Sequence, residues 1–223
     1  MKDKKAAIIC DLDGTIALMN GKRSPFEFLK CDQDDPNLPV IDVLETMVKA
    51  KDWVTIFTTA RMNVPIPKDM YRSIIYSGAR EHKIRTSSDQ VEFLISQWNI
   101  VACTNLEELK EHAFYNQSVK CRHHDCLRED DATQTAFIHL TDVYSLTLLW
   151  ILQYVNLDWN YFKMFIREND NNDKDRYVKL KLYEEQIKPD YDVKLVLDDR
   201  NQVVEMWRWG AKLPCLQVAD GNF

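Results

Sequence analysis

The chain has 223 residues, 45% of them hydrophobic, and a formal net charge of -6 from 29 Lys+Arg against 35 Asp+Glu. That length accommodates one large α/β domain, or a core domain with an insert, and buries a sizeable core. The acidic balance excludes a protein that coats nucleic acid by bulk electrostatics, so any such contact has to be a local patch.

The first element is the run Ala6-Ala7-Ile8-Ile9-Cys10-Asp11-Leu12-Asp13-Gly14-Thr15, which reads as a buried parallel strand that delivers two carboxylates and a Gly-Thr turn to its carboxyl end. In an open α/β sheet that end is where ligands bind. Asp11 can attack phosphorus through a carboxylate oxygen, and Asp13 can protonate the leaving oxygen and later deprotonate a water. Two acids this close also make a hard oxygen site for magnesium. The competing reading is a surface turn, since Asp-Gly is a common turn dipeptide. Lys2, Lys4 and Lys5 precede a run that Asp11 cuts short, so no secretory signal is expected.

A helix is predicted from Val40 to Lys51 and a strand from Trp53 to Thr58. Thr58-Thr59-Ala60-Arg61 follows, where a hydroxyl and a guanidinium can donate to phosphate oxygens. From about Met62 to Leu140 the strand-helix rhythm breaks, and this stretch reads as an inserted, mainly helical cap. Helices are expected at Asp89 to Trp98 and Leu106 to Phe114. Arg61, Lys68, Arg72, Arg80, Lys83 and Arg85 outnumber Asp69 and Glu81, with Tyr71 and Tyr76 interleaved: a candidate nucleic-acid patch, or a solvated mixed face. Cys121, His123, His124 and Cys126, with Cys103 upstream, are candidate zinc ligands of looser spacing than a knuckle.

The rhythm resumes with a helix from Val143 to Val155, whose Leu146, Leu149, Trp150, Gln153 and Tyr154 are expected in the core, with a subunit contact as the alternative, and a strand from Tyr161 to Arg167. Its apolar stretch contains Gln153 and is far short of a membrane span. The helix from Arg176 to Ile187 opens on Asp175-Arg176-Tyr177-Val178-Lys179, which sets an aspartate and a lysine four residues apart on one face. An ammonium there, facing the paired acids, would hold the nucleophile ionised; an exposed ion pair is the plainer alternative. Val193 to Leu197 is a second apolar strand, ending in Asp198-Asp199-Arg200, followed by a helix from Gln202 to Trp209 and a strand from Pro214 to Val218. Carboxylates from two strand ends around one cation are the strongest signal in the sequence. The fold class is α/β, a parallel sheet with helices on both faces, with residues 1–61 and 141–223 as core and 62–140 as insert. Six cysteines, with Cys10 and Cys215 in buried strands, suggest reduced thiols in a soluble, cytoplasmic protein.

In their order these pieces resemble the four motifs of the haloacid dehalogenase superfamily, and so imply its Rossmann-like fold and magnesium-dependent phosphohydrolase chemistry. More narrowly, Met19-Asn20-Gly21-Lys22, Lys30-Cys31-Asp32, Asp192 to Leu195, Asp198 to Arg208 and Gln217 to Phe223 resemble the 3′-phosphatase domain of the polynucleotide kinase-phosphatase family in its T-even phage form. The resemblance implies Asp11 as nucleophile, Asp13 as general acid/base, and Lys179 as a catalytic cation. It places Thr59, Arg61, Asp175 and either Lys22 or Arg23 at the substrate phosphate. Asp11, Asp198, Asp199 and the backbone carbonyl of Asp13 would hold Mg2+. It also implies nucleic-acid 3′ ends, DNA or RNA, as substrate in end repair. No membrane partner is expected, and a homo-oligomer and a separate kinase or ligase stand as candidate partners. A phage origin would place the chain in the host cytoplasm. No G-x-x-x-x-G-K-[ST] pattern occurs, so kinase activity is not expected of this sequence.

Two other functions compete. One is a small-molecule, nucleotide-type phosphatase of the same superfamily; the other is a non-catalytic protein that binds nucleic-acid ends. Paired acids on two strand ends speak against the latter, since a chain relieved of catalysis does not need them.

Overall fold

The computed structural model describes residues 4–67, 72–77, 101–103, 127–130, 133–140, 142–157, 162–168 and 170–221. It divides into two compact units, one of residues 1–27, 34–63 and 157–223, the other of residues 28–33 and 64–156.

The first unit is built on a five-stranded sheet. Its strands are β1 (Lys5–Asp11), β4 (Val54–Met62), β9 (Phe162–Arg167), β10 (Tyr191–Arg200) and β11 (Cys215–Gly221), in the spatial order β11-β10-β1-β4-β9. Every neighbouring pair is parallel. Two short strands, β2 (Ala17–Leu18) and β3 (Asp35–Pro36), pair antiparallel beside it. The central strand reads as a continuous apolar run because both of its faces are covered: Ala7, Ile8, Ile9 and Cys10 are all fully buried. On one face Ala7, Ile9, Ile56, Val196, Val203, Val204 and Trp207 share a single apolar cluster.

Helix α1 (Leu38–Lys51) starts with a proline in its first turn, where the missing N–H costs nothing, and ends on Asp52 in the left-handed region. The helix α3 (Asp175–Leu182) continues to Ile187 with wider π-type turns, and α4 (Asn201–Glu205) continues likewise to Gly210. All five core strands are thus where the sequence places them. Three run past their expected carboxyl ends: β4 through Thr59 and Arg61, β10 through Asp198 and Asp199, and β11 to Gly221.

The second unit contains α2 (Val143–Tyr154), whose Leu146, Leu149, Trp150 and Gln153 are buried. Asp142 caps this helix, accepting from the Ser145 N–H while the Ser145 hydroxyl accepts from the Asp142 N–H. In the region expected to be mainly helical, what the described residues form is an antiparallel sheet. Its strands β5 (Arg72–Ser77), β6 (Val101–Cys103), β7 (Leu127–Asp130) and β8 (Thr133–Leu140) lie in the order β6-β5-β8-β7. The expectation is corrected there: runs such as Ser73-Ile74-Ile75-Tyr76 carry the β-branched and aromatic residues that suit a pleated surface. The helices expected at Asp89 to Trp98 and Leu106 to Phe114 lie outside the described residues. Among the described residues no helix is long and apolar enough to cross a membrane.

Candidate active site

The parallel register brings the site together. Asp11 ends β1 opposite Thr58 of β4, and Cys10 just before it pairs with Leu197 of β10, so β10 carries Asp198 and Asp199 to the same carboxyl edge. Asp11, Asp198 and Asp199 are all buried, and ligand atoms of the three lie within 4.8 Å of one another. Lys179 reaches them from α3, itself 1% exposed, with its ammonium 2.7 Å from Asp11 Oδ1, 3.0 Å from Asp198 Oδ2 and 3.7 Å from Asp175 Oδ2. The spacing of four residues that could have made a solvated ion pair instead points a lysine inward.

Burial alone would pull the Lys179 proton off, but Asp11, Asp175 and Asp198 outweigh it and hold this ammonium well above the usual lysine range. Burial pushes the Asp11 carboxyl well up; Lys179 opposes the shift, and Asp198 and Asp199 add to it. Asp199 is pushed up to about 6, by burial first and by Asp198 second. Three carboxylates against one ammonium leave this buried cluster short of positive charge.

The cluster therefore fits a divalent cation. Its donors are hard oxygens, as magnesium requires, and Asp175 Oδ1 is a further buried oxygen with no hydrogen-bond partner. The side chain of Asp13 stands outside that cluster and faces two arginines and Thr59. The Thr15 hydroxyl donates to Asp11 Oδ2 at 3.2 Å and lies 3.4 Å from Asp199 Oδ1. Trp207 donates from its indole Nε1 to Asp198 Oδ2 at 3.2 Å.

A second group of charges surrounds Asp13. Arg61 forks onto it, Nε to Oδ2 and Nη2 to Oδ1, each at 2.8 Å. Arg23 Nη2 also donates to Asp13 Oδ1, and the Thr59 hydroxyl lies 3.4 Å from Oδ2 while accepting from the Arg61 N–H. Burial would raise the Asp13 carboxyl, but Arg61 and Arg23 reverse the effect and lower it to about 2.

Of the alternatives Lys22 and Arg23, the structure turns Arg23 inward and buries it, whereas Lys22 is exposed and pairs with Asp35. Asp34, which no motif singled out, is also buried here. It accepts from Arg23 Nε at 2.7 Å and Nη2 at 2.6 Å and from Arg61 Nη2 at 3.0 Å. Sequence reasoning also passed over Thr15 and Trp207 as site residues, although both stand inside the runs that carry the motifs.

The candidate zinc ligands Cys121, His123, His124 and Cys126 lie outside the described residues, as do Lys68, Tyr71, Arg80, Lys83 and Arg85 of the candidate patch. Cys103, Arg72 and Tyr76 are described only as strand backbone.

A parallel sheet with an acid pair on its central strand, a hydroxyl and an arginine on the next, an inward lysine and a second acid pair defines a haloacid dehalogenase-type phosphatase fold. The chain belongs to the family of the polynucleotide kinase PNKP phosphatase domain, whose profile matches residues 5–73 and 128–223. A stretch of 59 residues is 42% identical to a protein of Autographa californica nuclear polyhedrosis virus that carries the name of a bifunctional polynucleotide kinase/RNA ligase. That match covers 26% of this chain and 8% of the viral protein. Two solved structures share the fold over the whole chain at 24% identity. One, of the Pnkp1/Rnl/Hen1 complex, has a TM-score of 0.58 and is covered over 49% of its chain. The other, of the Pnkp1/Rnl/Hen1 RNA repair complex, has a TM-score of 0.53 and is covered over 45%. The chain thus spans about half the length of these structural relatives.

Proposed function

We propose that the chain is a magnesium-dependent polynucleotide 3′-phosphatase that works through an aspartyl-phosphate on Asp11, in nucleic-acid end repair. The observation that carries this reading is the setting of Asp11. A buried carboxylate at a strand's end, held between Lys179 and Thr15, suits a nucleophile better than it suits a surface acid. Membership in the phosphatase-domain family supports the same chemistry.

In the first step an Asp11 oxygen bonds to phosphorus as the bond from phosphorus to the 3′-oxygen breaks, and Asp13 gives that oxygen its proton. In the second, a water passes a proton to Asp13 and attacks the phosphorus, releasing phosphate and restoring the Asp11 carboxylate. Asp13 starts out ionised because Arg61 and Arg23 hold it so. A substrate phosphate competes for the same guanidinium edges. The phosphate's charge then offsets the two arginines and raises the proton affinity of Asp13, which takes from solvent the proton that the first step requires. The side chains of Asp11, Asp198 and Asp199, with the Asp13 carbonyl, would hold magnesium, which when bound supplies positive charge to the phosphate oxygens. The 3′-hydroxyl product suits a strand-joining reaction, so a separate kinase or ligase is the fitting partner.

The test is phosphate release from an oligonucleotide bearing a 3′- or a 5′-phosphate, with magnesium or chelator, by the wild-type chain and Asp11→Asn. Release from the 3′ end alone, dependent on magnesium and absent in the variant, is expected. Release from neither end, alongside hydrolysis of a mononucleotide, moves the substrate to a small molecule.

A further inference from the structure

The chain between β2 and β3 carries a tight turn that Arg23 ties to the site. Ser24-Pro25-Phe26-Glu27 closes on itself twice: the Glu27 N–H donates to the Ser24 carbonyl at 3.1 Å, and the Ser24 N–H donates to Glu27 Oε2 at 2.7 Å. Serine at the first position and proline at the second suit such a turn, and the proline ring fixes one of its torsions in advance. The Ser24 carbonyl also accepts from Arg23 Nη1 at 3.3 Å, while Nη2 of the same guanidinium donates to Asp13. At the tip stands Phe26, 84% exposed, the most exposed large apolar side chain among the described residues. A phenyl ring left in water forfeits the burial that aromatic side chains ordinarily supply, so the fold draws little from it.

We propose that Phe26 is a specificity residue: its ring is the platform on which the base of the nucleotide bearing the 3′-phosphate stacks while Arg23 and Arg61 hold that phosphate. The inference rests on the polynucleotide-phosphatase reading and adds what the site recognises besides phosphate. Its first support is connection. A substrate phosphate takes the place of Asp13 beside Arg23, and Phe26 is three residues along the chain from Arg23, across a turn that the same guanidinium holds. In a 3′-nucleotide the phosphate and the base are borne by one ribose, so a phosphate bound at Arg23 brings its base toward this turn. The second support is chemistry. Every base has a π-face, and an aromatic ring receives it without hydrogen bonds and without preference for sequence, which suits an enzyme of strand ends. Phosphate contacts position a nucleic acid but carry no information about its bases. A ring already held on a closed turn loses little further freedom when a base stacks on it.

The test uses the full chain with magnesium and two oligonucleotides that carry a 3′-phosphate and differ only in that the terminal sugar of one has no base. Both are made in whichever of DNA or RNA the wild-type chain hydrolyses. Hydrolysis of the intact end that disappears in Asp11→Asn establishes the reading on which the inference rests; absence of such hydrolysis overturns that reading and the inference together. With it established, the wild type is expected to favour the intact end over the abasic one by about tenfold in kcat/KM, the scale of one base stacked on an aromatic ring. In Phe26→Ala that ratio is expected to fall to within about twofold of unity, and in Phe26→Trp to stay at about tenfold or above, since the larger ring keeps the platform. A residue that only shapes the turn would change both substrates alike and leave the ratio where it was. A wild type indifferent to the missing base, or a Phe26→Ala chain that keeps the wild-type ratio or loses both substrates equally, overturns the proposal.

Discussion

Asp199 lies so close over Gly14 that a β-carbon at Gly14 would stand 2.1 Å from its Oδ2. Gly14 also has a φ of +86°, a conformation L side chains rarely adopt. The turn after β1 and the acid pair ending β10 therefore fit only while residue 14 has no side chain. Gly14→Ala is expected to displace Asp199 and to cost about 1–3 kcal/mol in backbone strain besides. Calorimetric titration with Mg2+ should show weakened binding together with a lowered melting temperature. A variant with wild-type Mg2+ affinity would mean that Asp199 is not needed at the cation.

Asp13→Asn tests the acid/base role. The amide fills the same space but can neither give up nor take a proton, and positioned acid/base groups contribute about 10²–10⁴-fold to rate. The loss is expected in kcat. Phosphate affinity should hold or improve, because Arg61 and Arg23 are released from a competing carboxylate. Steady-state kinetics with inorganic phosphate as inhibitor separates the two effects, and activity within a few-fold of wild type contradicts the assignment.

The parts legible in the sequence share one physical cause. A strand buried on both faces has to be a run of apolar residues, and an acid at its end is conspicuous against that run; Asp11, Asp13, Asp198 and Asp199 were visible for this reason. Asp34 lacks that contrast. It sits in the polar stretch Asp32-Gln33-Asp34-Asp35, where nothing local separates the acid that turns inward from the one that pairs with Lys22. Lys22 and Arg23 are ambiguous in the same way, since both are basic and adjacent, and only the path of the loop decides. Strands β5 to β8 were missed because three- to eight-residue segments of mixed polarity carry weak periodicity.

Trp207 acts on the site through Asp198, to which its indole Nε1 donates at 3.2 Å. It also packs edge-on against Tyr183, with ring centroids 5.8 Å apart. Trp207→Phe retains an aromatic ring for that packing and removes only the donor. Outer partners of ligating carboxylates typically matter by 10–100-fold in metal affinity, so a loss of about tenfold in Mg2+ affinity is expected. Calorimetric titration reads this directly; an unchanged affinity would show that Asp198 needs no such orientation.

The elevated carboxyls make stability and cation binding depend on pH together. Asp199 titrates near 3.9 when unfolded, as a model aspartate does, and at about 6 in the folded chain, where burial and then Asp198 disfavour its charge. A carboxyl raised on folding stabilises the native state fully below the unfolded value, and that contribution is lost as pH rises through the folded value. Asp11 is raised for the same first reason and acts in the same direction. In chelator, this cluster should therefore cost the chain stability between about pH 4 and pH 7. A cation that binds the ionised acids reverses the cost, so the rise in melting temperature produced by Mg2+ should be small near pH 5 and large near about pH 7.5. Asp199→Asn removes one of the titrating groups and should flatten that difference. Thermal melts of both chains, with Mg2+ and with chelator at the two pH values, test the linkage; an Mg2+ shift independent of pH and untouched by Asp199→Asn would place the cation elsewhere.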